Sequence, residues 1–151
     1  QLRQTWRFKM NKIFIDTEFT DFIQMDLISL GAVTEDGQYE FYVERHDYEK
    51  DWSSQWVKEN VIPFLHTDGH SHYEAGLMFY KWLKALPRQP EGYQICCDYE
   101  GDVHLLLDLL DGQDPHNIQE EPSYINSALF AACVIHRTGG RVFRMGFSGR
   151  T

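Results

Sequence analysis

Three apolar runs crowd into the first third of this chain, and they commit it to a fold built on a sheet. Lys12 to Asp16 reads KIFID, Leu27 to Val33 reads LISLGAV, and Tyr39 to Val43 reads YEFYV. The first two are short continuous apolar segments, as buried strands are, and the third alternates. Glu35-Asp36-Gly37-Gln38 supplies turn residues before the third run, so the three read as a hairpin meander. None of these runs reaches the roughly 18 apolar residues of a membrane helix. The N-terminus also lacks the apolar centre of a signal peptide.

Helical patterns follow. Ser53 is expected to cap a short helix carrying Trp56, Val57 and Asn60, which Pro63 ends. Ser71 precedes Tyr73, Leu77, Tyr80, Trp82 and Leu83, a helix closed by Pro87. Tyr93 to Cys97 reads as a fourth strand, and Asp102 to Leu110 as a helix stopped by Gly112. Ser123 is expected to open a last helix, from about Tyr124 to His136, ended by Gly139-Gly140. Most of the aromatics, Trp52, Trp56, Tyr80 and Trp82 among them, are expected in the core. This order of elements predicts an α/β domain with a mixed central β-sheet flanked by helices. Residues 1–9 are polar and precede Met10, so they read as an N-terminal extension, with residues 10–151 as a single domain.

The net charge is −9, and its placement matters. No acidic residue follows Glu121, whereas Arg137, Arg141, Arg144 and Arg150 all do, so the part before them is more acidic than the whole. An acidic body disfavours broad binding to a phosphate backbone. It suits a small pocket that meets nucleic acid through metal ions. The four arginines are either a solvated tail or phosphate contacts. Cys96, Cys97 and Cys133 form no C-x-x-C pair, and they read as reduced thiols of a cytoplasmic protein.

The chemistry begins where the first strand ends. In Asp16-Thr17-Glu18 the two carboxylates share one side of an extended chain, because side chains repeat with period two. Carboxylate oxygens suit hard cations such as Mg²⁺ and Mn²⁺. Asp98 and Asp102 follow the fourth strand, one at its exit and one in the first turn of the next helix. Asp102 is either an acid placed to complement the helix dipole or a ligand delivered beside Asp16 and Glu18.

IFIDTEFTDF, with LISLGAV shortly after it, resembles the first exonuclease motif of the DnaQ-like, or DEDD, superfamily of RNase H-like fold. The D-T-E-F form and the short chain are similar to the RNase T-like exoribonuclease group of bacteria and phages. ICCDYEGDVHLLLDLL resembles the second motif, with Asp102 at the catalytic position and Asp98 as its partner. NSALFAACVIHR resembles the third, H-x-A-L-x-D-A, in its apolar frame alone. The resemblance spans roughly Met10 to Arg137. It implies a 3′→5′ exonuclease using two Mg²⁺ or Mn²⁺ ions, with Asp16, Glu18 and Asp102 as ligands. Phe19, Thr20 and Asp98 would lie on the substrate side, next to the 3′-terminal nucleotide.

The third motif departs from that pattern. Asn126 stands where the family has its His base, and Ala131 where it has its last Asp ligand. Asn cannot take up a proton at a useful pH, and Ala cannot bind a metal. Natural divergence accounts for both departures. A substitution made to trap substrate would account for Ala131 and leave Asn126 unexplained. His116 and Glu121 reproduce the spacing, but the adjacent Pro115 and Pro122 argue against one helix face. His66, His70 and His72 read as a polar loop rather than a zinc site. His136 reads as a cap on a helix dipole.

Two functions of different kinds are expected. One is a working or weakened exonuclease on single-stranded RNA or DNA 3′ ends, or on short nucleotides. The other is a nuclease-derived module that binds nucleotides or a protein without cleaving. No membrane partner is expected, and a homodimer is compatible with the sequence.

Overall fold

A computed structural model describes residues 12–66, 68–89 and 92–111, and the backbone of 123–124. The expectations for residues 1–9, Gly112, His116, Glu121, Asn126, Ala131, Cys133, His136, Gly139-Gly140 and the four C-terminal arginines lie outside the described residues.

The architecture is α/β, with a mixed sheet and helices against it. The strands are β1 (Lys12–Phe19), β2 (Leu27–Thr34), β3 (Glu40–Glu44), β4 (Gln94–Cys97) and β5 (Ser123–Tyr124). The order is β3-β2-β1-β4-β5. β2 runs antiparallel to β1 and β3, while β4 is parallel to β1 and β5 to β4. The expected meander is therefore present, with β1 extending three residues past Asp16. Its turn is fixed by Asp36, whose carboxylate accepts from the Gln38 N–H at 3.0 Å and the Thr34 hydroxyl at 2.8 Å. Gly37 follows at φ 73°, a left-handed conformation that glycine adopts without strain.

The helices are α1 (Gln55–Asn60), α2 (His72–Ala85) and α3 (Glu100–Leu109). Short 3-10 turns at Lys50–Trp52 and Ile62–Phe64 flank α1. Its N-cap is Ser54 rather than the expected Ser53: the Ser54 hydroxyl accepts from the Val57 N–H three residues on, at 3.2 Å. That phase buries only Val57 of α1 and turns Trp56 outward. Trp52 is exposed as well, so both tryptophans depart from the expected core placement, whereas Tyr80 and Trp82 pack partly buried against it. Ser71 does cap α2, and a reciprocal bond to Glu74 completes a capping box. α3 begins two residues before Asp102. The start expected for a last helix, Ser123 and Tyr124, is instead the short β5.

One face of the sheet packs on the two long helices. Ile13 and Ile15 of β1, Leu30 and Ala32 of β2, and Ile95 and Cys97 of β4 meet Ala75, Phe79 and Leu83 of α2 and Leu105, Leu106 and Leu109 of α3. α2 and α3 approach closely at Gly76, where an added Cβ would stand 2.3 Å from the Leu109 carbonyl oxygen. The opposite face of β1 presents Phe14, Asp16 and Glu18. Among the described residues no helix is long and apolar enough to cross a membrane.

Candidate metal centre and adjoining cleft

β1 and β4 are parallel neighbours, and Phe14 pairs with Cys96. Two residues further on, Asp16 within β1 and Asp98 just past the end of β4 therefore come level. α3 starts immediately after β4. Its buried stripe, Asp102, Leu105, Leu106 and Leu109, has the spacing of one helix face, so the helix seats Asp102 in line with the core. One carboxylate oxygen from each of Asp16, Asp98 and Asp102 lies within 4.8 Å of the others. That is roughly twice a metal–oxygen distance, so one cation could reach all three.

The surroundings fit a cation. Asp102 is fully buried and Asp16 is 5% exposed, whereas Asp98 is half-buried and leaves an open side. Like charges brought together away from water repel strongly unless a proton or a cation offsets them. The Thr17 hydroxyl donates to Asp102 at 2.5 Å, fixing one oxygen of that carboxylate. Thr17 can do so because it faces α3, while Asp16 faces the other way. Burial, and next the Asp102 and Asp98 carboxylates, push the Cys97 thiol up to about 12. That shift registers the negative field at this point.

Glu18 is not one of the three. It lies one pleat beyond Asp16 and opposite Ser29 of β2, which is itself opposite Glu44 of β3. The Tyr42 phenol there is raised above its ordinary range by burial first, then by Glu44, with Glu18 contributing. Asp98, expected on the substrate side, instead belongs to the carboxylate group.

Glu18 opens onto a cleft of about 210 Å³ lined by Glu18, Phe19, Asp21, Phe22, Ser54, Trp56 and Val57. Behind it stand three mutually packed rings. Phe19 stacks on Tyr99 at 5.8 Å, and Phe22 meets Phe19 edge-on at 5.1 Å and Tyr99 at 5.4 Å. Gly101 makes room for this: a Cβ there would lie 2.3 Å from the Tyr99 ring. Phe22 is 54% exposed. Thr20 is fully buried, and its hydroxyl is engaged within the loop from residue 20 to 26.

Phe22 and Tyr99 were absent from the sequence-based site, whereas Trp56 was among the aromatics of which one or two could stack on bases at the cleft. The available signal was a run of aromatics next to the acidic motifs. His66, His70 and His72 make three separate contacts, with Tyr42, Glu74 and Asp108 respectively. Comparison with protein-family models finds no match, and neither does comparison with curated proteins.

Proposed function

We propose that this chain is a divalent-metal-dependent 3′→5′ exonuclease of the DnaQ-like, RNase H-like type, acting on single-stranded RNA or DNA ends or short oligonucleotides. The observation that carries this reading is the convergence of Asp16, Asp98 and Asp102 where β1, the exit of its parallel neighbour β4 and the start of α3 meet. The sheet adds support. A doubly wound nucleotide-binding fold is mostly parallel, whereas here an antiparallel β2 sits inside the sheet, as a mixed RNase H-like sheet allows. An all-oxygen ligand set favours Mg²⁺ or Mn²⁺ over zinc.

When bound, such an ion stabilises the charge that develops on a scissile phosphate and helps generate the attacking hydroxide. The residues do the rest. Asp16, Asp98 and Asp102 hold the ion, with Thr17 orienting Asp102. Glu18 stands between that group and the cleft, where it can meet a reacting phosphate through a second ion. Phe22 and Trp56 offer exposed rings to a terminal base, with Phe19 packed behind Phe22. Cys96 and Cys97 are buried and form no disulfide with one another, in keeping with a reducing cytoplasm.

Asn126 and Ala131 favour a second reading, a binding module that holds nucleotides without cleaving them. Calorimetric titration with Mn²⁺, followed by nucleotide release from a 3′-labelled single-stranded oligonucleotide, separates the two. Mn²⁺ binding with release supports the exonuclease. Mn²⁺ binding with no release selects the binding module. No Mn²⁺ binding removes the exonuclease reading.

A further inference from the structure

We infer that Thr20 is a positioning residue: its hydroxyl fixes the loop that carries the Phe22 wall opposite the Trp56 wall of the cleft, and thereby sets the affinity for a terminal nucleobase. The inference rests on the nucleotide-processing reading above. Thr20 is fully buried, so it does not itself line the surface that a ligand would touch.

Its bonds run to both walls. On the Phe22 side, the Thr20 hydroxyl donates to the Gln24 carbonyl at 2.6 Å and accepts from the Asp26 N–H at 2.9 Å. The Thr20 N–H donates to the Asp26 carbonyl at 3.0 Å, closing the loop that carries Phe22. On the Trp56 side, the Ser54 N–H donates to the Thr20 carbonyl at 2.9 Å, and the Ser54 side chain caps α1. One residue thus joins the loop of one aromatic wall to the helix start of the other.

The far end of the loop is clamped independently. The buried Arg45 guanidinium reaches Asp26 at 2.6 Å, and the other Asp26 oxygen accepts from the Glu49 N–H at 2.7 Å. Loss of the Thr20 hydroxyl therefore leaves the loop attached at Asp26 while freeing the part that holds Phe22. The Gln24 carbonyl and the Asp26 N–H then lose their shared partner, which makes that part the first to shift.

The test uses the whole chain with adenosine 5′-monophosphate and Mn²⁺ as probes, read by calorimetry. Thr20→Val should weaken nucleotide binding about tenfold, the scale of one stacked base. Affinity for Mn²⁺ alone should stay within about twofold, because the carboxylates are held elsewhere. Thr20→Ser keeps the hydroxyl and should remain within about threefold of the wild type. A merely structural residue would lower the melting temperature without this split between nucleotide and metal.

Wild-type affinity in Thr20→Val overturns the inference, as does an equal loss in Thr20→Ser. Phe22→Ala and Trp56→Ala truncate the two exposed walls directly. If neither weakens nucleotide binding the inference falls, even where Thr20→Val does not fold. A wild-type chain that ignores the nucleotide overturns it too, whereas the exonuclease reading is judged separately, on release from the oligonucleotide.

Discussion

The carboxylate group and the aromatic cleft adjoin each other on β1, yet they are built by different means. Asp16, Asp98 and Asp102 hang from the interior of one strand, the exit of another and a helix whose inner face continues into the core. Phe22 and Trp56 hang from a loop and a six-residue helix, and both are exposed. The first region is placed by the main core and the second by a few loop hydrogen bonds. Rigid elements suit chemistry that tolerates little displacement, and a loop suits recognition of a ligand of variable shape. Disturbances of the core should therefore strike the metal group, and disturbances of the loop the cleft.

The strongest way to sharpen this contrast is to complete the metal site. Asn126→His together with Ala131→Asp should raise nucleotide release with Mn²⁺ by about 10² to 10⁴, the usual worth of a general base. The two changes should exceed the product of the single ones, since base and ligand act as a unit. Nucleotide binding in the cleft should hardly change. No gain in release from a folded, Mn²⁺-binding double variant would return the chain to the binding-module reading.

Asp98→Asn should act in the opposite sense. Mn²⁺ affinity should fall at least about tenfold, with release falling alongside it. Without metal, the same change should raise the melting temperature by roughly 2–4 °C per kcal/mol of repulsion removed. Thermal melts with and without Mn²⁺ read both effects. An unchanged metal-free melt would show that the three carboxylates do not repel one another in the folded state.

Gly76→Ala bears on the frame instead. The added Cβ meets a backbone carbonyl that cannot swing aside, so α2 and α3 must part. A loss of about 1–3 kcal/mol is expected from denaturant unfolding, as for other overpacked cores. Mn²⁺ affinity should suffer more than nucleotide affinity, because Asp102 rides on α3.

The smallest effect is alkaline. The Tyr42 phenol is raised above the ordinary tyrosine range by burial and then by Glu44, so the folded state keeps its proton where the unfolded chain gives it up. The unfolded chain binds fewer protons there, and stability falls as pH rises past about 10. Tyr42→Phe should flatten that decline in melts between pH 9 and 11. An equal slope in both proteins would mean that the phenol ionises alike folded and unfolded.

Much of the frame was legible in the sequence because periodicity reports burial. KIFID and LISLGAV fix β1 and β2, and Ser71 with Glu74 marks the start of α2. Asp102 lies three, four and seven residues before Leu105, Leu106 and Leu109, so its inward direction could also be read off. Asp98 could not be placed that way. It comes level with Asp16 only because β1 and β4 are parallel neighbours, and strand pairing across some eighty intervening residues leaves no local trace. The cleft was harder still. Trp56 at helical spacing looks like a core residue, yet α1 buries only Val57 and leaves Trp56 exposed.

β1 has a consequence for how this molecule tolerates change. Asp16 serves the carboxylate group, Thr17 braces Asp102, Glu18 and Phe19 border the cleft, and Thr20 ties its two walls. Asp16, Thr17 and Glu18 thus alternate sides of one ribbon, and a bulge between Glu18 and Phe19 ends that alternation just before the residues that border and tie the cleft. A codon inserted ahead of Asp16 would exchange those sides, driving carboxylates toward the leucines of α3 and Thr17 away from its partner. A codon inserted among residues 21–25 would lengthen one loop. The first error erases every duty together and the second blunts one, so a library of single-residue insertions should show a sharp edge in tolerance at the end of this strand.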